Sequence, residues 1–177
     1  ITMGGHTLSD VYASILGDYF ACIYRDDYQI ATNYLQDFET NDGGWTAVNL
    51  ASATIWQYGT PSSLGFSPGT KGWKTNISGD YANNSNTYLE SPLITTLNAI
   101  SVELLINYVT ENAFDGVNLW ISLDGGAYQL LGTSASNTDG KGTNWYNATA
   151  SPGPNGNTTV WGNTSSGGVT ATHILTD

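Results

Sequence analysis

ISVELLINYVTENAFDGVNLWISL, residues 100–123, decides how this chain folds. In its first ten residues Ile100, Val102, Leu104, Ile106 and Tyr108 fall on one side of an extended chain, with Ser101, Glu103 and Asn107 opposite. Its last seven repeat the pattern: Val117, Leu119, Ile121 and Leu123 face one way, Asn118, Trp120 and Ser122 the other. Successive side chains of a strand project to opposite faces, so this alternation marks half-buried β-strands. The Asp124-Gly125-Gly126 that follows, and then AYQLLG (127–132), read as a β-hairpin whose turn needs positive φ.

Working outward, no window after residue 37 carries a helical stripe. Residues 69–94, GTKGWKTNISGDYANNSNTYLESPLI, combine turn formers with Trp73, Tyr81, Tyr88, Leu89, Leu93 and Ile94, apolar anchors that order the loop. Polar connectors at 59–72 and 132–168 exceed ordinary hairpin loops and read as crossings between two sheets, the second pinned by Trp145, Tyr146 and Trp161. The expectation is an all-β protein: an antiparallel jelly-roll-like β-sandwich over residues 37–177, preceded by an N-terminal extension, 1–36. Within the extension, LSDVYASILGDYF (8–20) reads either as a short helix capped by Ser9 or Asp10 or as a strand. ACIYRDDYQIATNYL (21–35) reads as one or two strands broken near Arg25–Asp27.

Composition narrows the function classes. The 177 residues suffice for one domain with a real core, and 40% are hydrophobic, near the globular norm. Only 11% are charged, less than half the usual share, so the surface is built from Asn, Thr, Ser, Gly and Tyr, as is common outside the cell. Four Lys plus Arg against fifteen Asp plus Glu give a net charge of −11, which repels phosphate backbones and anionic membranes, so no nucleic acid is expected as a partner. No apolar run approaches the ~20 residues that cross a bilayer. The chain begins at Ile1 without a signal peptide, as a processed secreted protein or an excised fragment does. Cys22 is alone, in apolar YFACIY (19–24), and reads as a buried inert thiol. Sequons stand at Asn76, Asn83, Asn147, Asn157 and Asn163, candidate glycosylation sites in a chain so rich in Asn, Ser and Thr that chance alone supplies several.

Residues 37–173 resemble the MAM-like jelly-roll domains found beside immune-inhibitor-A-type secreted metallopeptidases and in large bacterial surface proteins, with the cleaved-adhesin domains of gingipains as more distant relatives. The segments that carry the likeness are DFETNDGGW (37–45), IWQYGTP (55–61), GWKTNISGDYANNSNTYLESPLI (72–94), FDGVNLWISLDGG (114–126) and GGVTATHIL (167–175). The resemblance implies a jelly roll, an extracellular setting, structural calcium and no catalysis. Its calcium would be held by Glu39 and Asp115, with Asp37, Asn118 and the Asp26/Asp27 pair as completions; otherwise these acids are turn formers or solvated charges. The family continues beyond the segment resembling GGVTATHIL to a closing WxIDDVxI-like motif, whereas this sequence ends at Asp177 and carries a similar stretch, IYRDDYQIAT (23–32), at its start. Three explanations are open: circular permutation, excision from a tandem array, or donation of 1–36 as a strand to a neighbouring subunit.

Other chemistry is sparse. Six Trp and eleven Tyr invite sugar stacking, with Trp120 the best candidate and Trp56 and Tyr58, beside a Gly-Thr-Pro turn, next; the alternative is packing against long connectors. Ser122-Leu123-Asp124-Gly125-Gly126 resembles the Asp-box hairpin of sialidases, whose Asp stabilises a turn. His6 and His173 are the near-neutral bases, and neither sits in a nucleophile or metal motif, so no enzyme is expected. The expectation is a non-catalytic extracellular structural or adhesive surface protein, a filament subunit joined by donor-strand exchange with copies of itself. The alternative is a calcium-stabilised carbohydrate- or protein-binding accessory module of a secreted multidomain protein, with cell-surface glycans or proteins as partners.

Overall fold

The computed structural model describes residues 8–16, 21–22, 34–51, 56–65, 68–95 and 101–175. Among them run thirteen strands: β1 (Leu8–Leu16), β2 (Ala21–Cys22), β3 (Thr46–Ala51), β4 (Trp56–Gly59), β5 (Gly72–Thr75), β6 (Asn86–Glu90), β7 (Ser101–Ile106), β8 (Gly116–Leu123), β9 (Gln129–Leu130), β10 (Gly142–Thr143), β11 (Ala148–Thr149), β12 (Thr159–Val160) and β13 (Val169–Ile174). The only helical element among the described residues is a 3-10 turn at Pro154–Gly156, and none of their helices is long and apolar enough to cross a membrane.

The strands form an antiparallel β-sandwich. One sheet has the order β3-β6-β1-β8-β9, the other β10-β13-β7-β2, and two small hairpins, β4–β5 and β11–β12, flank them. Alternation builds the core. Leu89, Leu119 and Ile121 come from the five-stranded sheet, and Val102, Leu104, Ile106 and Ala171 from the four-stranded one. Along β13, Ala171 and His173 are buried while Thr170 and Ile174 are exposed, and the register sets Ala171 against Leu104 and His173 against Val102.

Residues 8–16 form a strand. Tyr12 lies opposite Glu90 of β6 on one side and Trp120 of β8 on the other, which makes β1 the middle strand of its sheet. Local propensity leaves such a segment ambiguous; two flanking ladders satisfy its backbone groups as a strand. β2 pairs with β7, Cys22 opposite Leu104. IYRDDYQIAT (23–32), with Asp26 and Asp27, and His6 lie outside the described residues.

Two local readings need correction. Residues 59–72 are a hairpin loop and not a crossing, because β4 and β5 pair with each other from Trp56↔Thr75 to Gly59↔Gly72. The side of β8 read as polar and outward is also covered: Asn118 and Ser122 are buried. The chain from Pro154 to Trp161 folds over the start of that strand, with Val117 and Trp161 exchanging backbone bonds of 2.9 and 2.8 Å. Asn118 Nδ2 donates to the carbonyls of Thr159 (3.4 Å) and Pro154 (3.5 Å). The approach is so close that a Cβ at Gly116 would collide with Val160.

The 132–168 connector is held by the three aromatics expected to pin it. Trp145 and Tyr146 meet Trp161 with ring centroids 4.8 and 4.7 Å away, and all three are buried. Their polar atoms are satisfied on backbone: Trp145 Nε1 donates to Leu131 O, Trp161 Nε1 to Asn144 O, and the Tyr146 hydroxyl both accepts from Leu119 N and donates to Leu119 O. Burial pushes the Tyr146 phenol far above its usual range, so it stays neutral.

Candidate functional site

Three loops converge at the start of β8 to form a groove of about 740 Å³. The first holds Asn83 to Asn86, the second Glu111, Phe114 and Asp115, the third Pro152, Gly153, Pro154 and Gly156. Each is braced by bonds of its own. Ser85 Oγ donates to Ala82 O (2.5 Å), and Asn84 sits at φ +58°, a conformation asparagine tolerates. Phe114 N and Asp115 N both donate to Glu111 O (3.3 and 3.0 Å). The loops are also tied together: the Tyr81 hydroxyl donates to Asp115 Oδ2 (2.5 Å) and accepts from Glu111 N (3.3 Å), and Ser151 N donates to Ala113 O (3.0 Å). At Gly153 a side chain would run into the Asn157 carbonyl.

Within this fixed frame several groups remain unspent. Phe114 is 57% exposed. The side chains of Asn83, Asn84, Asn86 and Glu111 make no hydrogen bond among the described residues. Amides and a carboxylate beside an exposed ring can accept and donate to hydroxyls while the ring covers an apolar face.

The residues singled out from sequence are distributed differently. Trp56 is 1% exposed, inside the core, and offers no face for a ligand. Tyr58 is half-buried against Trp73 (5.9 Å) and donates its hydroxyl to Phe38 O (2.6 Å). Trp120 is half-buried on β8, its indole N–H bonded to Asn118 Oδ1 (3.0 Å). The aromatic that reaches solvent in a concavity is Phe114, which sequence reading passed over. A lone large apolar residue inside a polar loop between two strong strands, TENAFDG (110–116), was the signal available.

Asp37, Glu39, Asp115 and Asn118, the calcium candidates, each have hydrogen-bond partners within the chain. Glu39 spends its carboxylate on Thr70 N (2.7 Å), Thr70 Oγ1 (2.8 Å) and Lys71 N (3.0 Å), bonds that hold it below the usual carboxylate range. Asp37 Oδ1 accepts from Glu39 N, Asp115 from Tyr81, and Asn118 is buried with both ends engaged. No group of three or more His, Cys, Asp or Glu gathers among the described residues.

Of the sequon asparagines, Asn83 lines the groove and is exposed, as is Asn163. Asn76 Nδ2 donates to Asp80 O, Asn147 pairs with both backbone groups of Gly162, and Asn157 Oδ1 accepts from Thr159 N.

His173 forms a pair that superficially suits nucleophilic catalysis. Its Nδ1 bonds the Ile174 carbonyl (2.7 Å) and so carries the proton, leaving Nε2 to accept from Ser136 Oγ (3.0 Å). Ser136 Oγ also accepts from Thr133 N (3.0 Å). Ser136 is 1% exposed and His173 4%, with the imidazole stacked on Trp145 at 4.7 Å. This arrangement ties the connector to β13. Burial pushes the imidazole below its usual value.

Fold and groove together define an all-β sandwich with a built concavity at one loop end. Compared with curated proteins, the chain is 36% identical over 94 residues to Bacillopeptidase F of Bacillus subtilis (strain 168). That match covers 51% of this chain and 6% of the peptidase, so the chain corresponds to a small part of its length. No protein-family model matches the chain, and no solved structure matches it.

Proposed function

We propose that this chain is a non-catalytic accessory module of a secreted multidomain protein and that the groove at Phe114 binds a neutral carbohydrate. The observation that carries the reading is the convergence of unspent amides and a carboxylate around an exposed ring on loops that are otherwise bonded to one another. A sugar presents a ring of hydroxyls and an apolar C–H face, and this groove complements both. Glu111, Asp115 and the net charge of −11 disfavour acidic glycans. Likeness to a 6% stretch of a peptidase supports an accessory role and not the peptidase chemistry itself. The placement of β1 between β6 and β8 of its own chain favours a self-contained module over a filament joined by a donated strand. An extracellular address follows from the same likeness and from the charge-poor, Lys-poor composition.

Calorimetric titration with neutral xylo-, cello-, manno- and chito-oligosaccharides, and with oligogalacturonides as the acidic control, tests the proposal. At least one neutral series binds, and Phe114→Ala weakens it about tenfold, ~1.4 kcal/mol, without altering thermal stability. Binding to none of them, or affinity indifferent to Phe114, overturns the reading.

A further inference from the structure

A second concavity lies at the other end of β8, where the β8–β9 hairpin diverges from β13 and the 136–141 loop. It encloses about 310 Å³, at the small end of ligand-sized pockets. Leu123, Leu130 and Leu131 supply an apolar wall, and the tie between Ser136 and His173 closes the inner side. Asp139 and Lys141 line the same pocket and put one charge of each sign there.

Among the described residues that pairing stands out. Lys71 Nζ donates to Glu39 O (3.1 Å) and Lys74 Nζ, in a residue 0% exposed, to Gly79 O (2.7 Å). Lys141 is exposed, and its ammonium makes no hydrogen bond among the described residues. Asp139 Oδ1 accepts from Lys141 N (2.8 Å), a bond that sets the loop and leaves the carboxylate uncompensated by the lysine's own ammonium. Both residues line the pocket together with His173. A small cavity with one apolar wall, flanked by a cation and an anion that form no ion pair with each other, is complementary to a zwitterion with an apolar side chain.

We propose that this pocket binds a free apolar amino acid of about the size of leucine, its side chain against Leu123, Leu130 and Leu131, its carboxylate toward Lys141 and its ammonium toward Asp139. The site is separate from the Phe114 groove and does not depend on what that groove binds.

The test uses the full chain and its tryptophan emission, since Trp145 packs on His173 at the inner end of the pocket. Leucine, leucinamide, 4-methylpentanoate and glycine are titrated separately, with nuclear magnetic resonance shifts of the Ile121 and Leu131 methyl groups as a second readout. Leucine is expected to saturate in the millimolar range or below, leucinamide and 4-methylpentanoate about tenfold more weakly, and glycine not at all. Asp139→Asn, which keeps an acceptor for Lys141 N, is expected to weaken leucine but leave 4-methylpentanoate unchanged; Lys141→Gln is expected to weaken leucine but leave leucinamide unchanged. The proposal is overturned if leucine produces no saturable shift, if all four compounds act alike, or if neither variant changes this order while thermal stability is preserved.

Discussion

The 132–148 connector and the loops around the groove are made of the same residues, Asn, Ser, Thr and Gly, and use them in opposite ways. In the connector, Asn137 Oδ1 accepts from Trp145 N (2.7 Å) while its Nδ2 donates to Trp145 O (3.1 Å), and Asn144 Nδ2 donates to Thr170 O (2.8 Å). Each amide serves as a substitute for ladder bonds that irregular backbone lacks. Around the groove, Asn83, Asn84 and Asn86 keep their amides unspent because Ser85, Tyr81 and backbone turns already hold the loop. The aromatics divide likewise: Trp145, Tyr146 and Trp161 are buried, and Phe114 is exposed. A polar loop is structural where its amides are consumed, and available for recognition where they are not.

The largest effect is expected at the rings. Trp161→Ala is expected to destabilise the domain by about 3–5 kcal/mol, a large share of the ~5–15 kcal/mol of a typical domain, read as a lower urea midpoint. A loss below about 1 kcal/mol would mean that the connector is not fastened through this cluster. Asn137→Ala leaves the Trp145 backbone N–H without its acceptor and is expected to cost about 1–3 kcal/mol in the same assay. The contrasting double variant Asn83→Ala/Asn86→Ala, which leaves Asn84 at its positive φ, is expected to stay within about 0.5 kcal/mol of the parent while losing glycan affinity. A stability loss matching that of Asn137→Ala would erase the distinction drawn between the two regions.

Two ionisable groups add smaller, pH-dependent effects. The His173 imidazole is pushed down by burial, so the unfolded chain takes up its proton first. Its contribution is fully present above the ordinary imidazole value of 6.5 and declines as pH falls below it. Urea midpoints across that window are expected to fall in the parent and to flatten in His173→Gln; parallel profiles would remove His173 as the tie. For Glu39, the backbone N–H groups of Lys71 and Thr70 hold the carboxyl down. Stability from it is therefore present above the ordinary value of 4.5 and lost as pH falls through the lowered one. On so exposed a side chain the effect is the smallest of the set, visible as a slightly shallower acid limb in Glu39→Gln.

Much of the scaffold was legible because it obeys a simple period. The alternation in 100–108 and 117–123 located β7 and β8, and Asp124 and Gly125 take φ of +52° and +74° where the turn was expected. The site was less legible. Exposure belongs to the assembled loops: Trp56 and Phe114 look equally available in a sequence, yet one is in the core and the other stands over a groove. Asn118 was read as outward because alternation describes one strand, and cannot report that Pro154–Trp161 folds over that side.

By itself the sequence determined the all-β class, the inward faces of the long strands, the hairpin after Leu123 and the need for aromatics to fasten the connector, since these depend on side-chain periodicity and local turn chemistry. Only the tertiary structure decided that 8–16 is the middle strand of its sheet, that 59–72 turns back on itself, and which amides remain unspent. Those outcomes depend on which distant segments meet, and the hydrogen bonds that decide them span tens of residues, from Tyr81 to Asp115 and from Glu39 to Thr70.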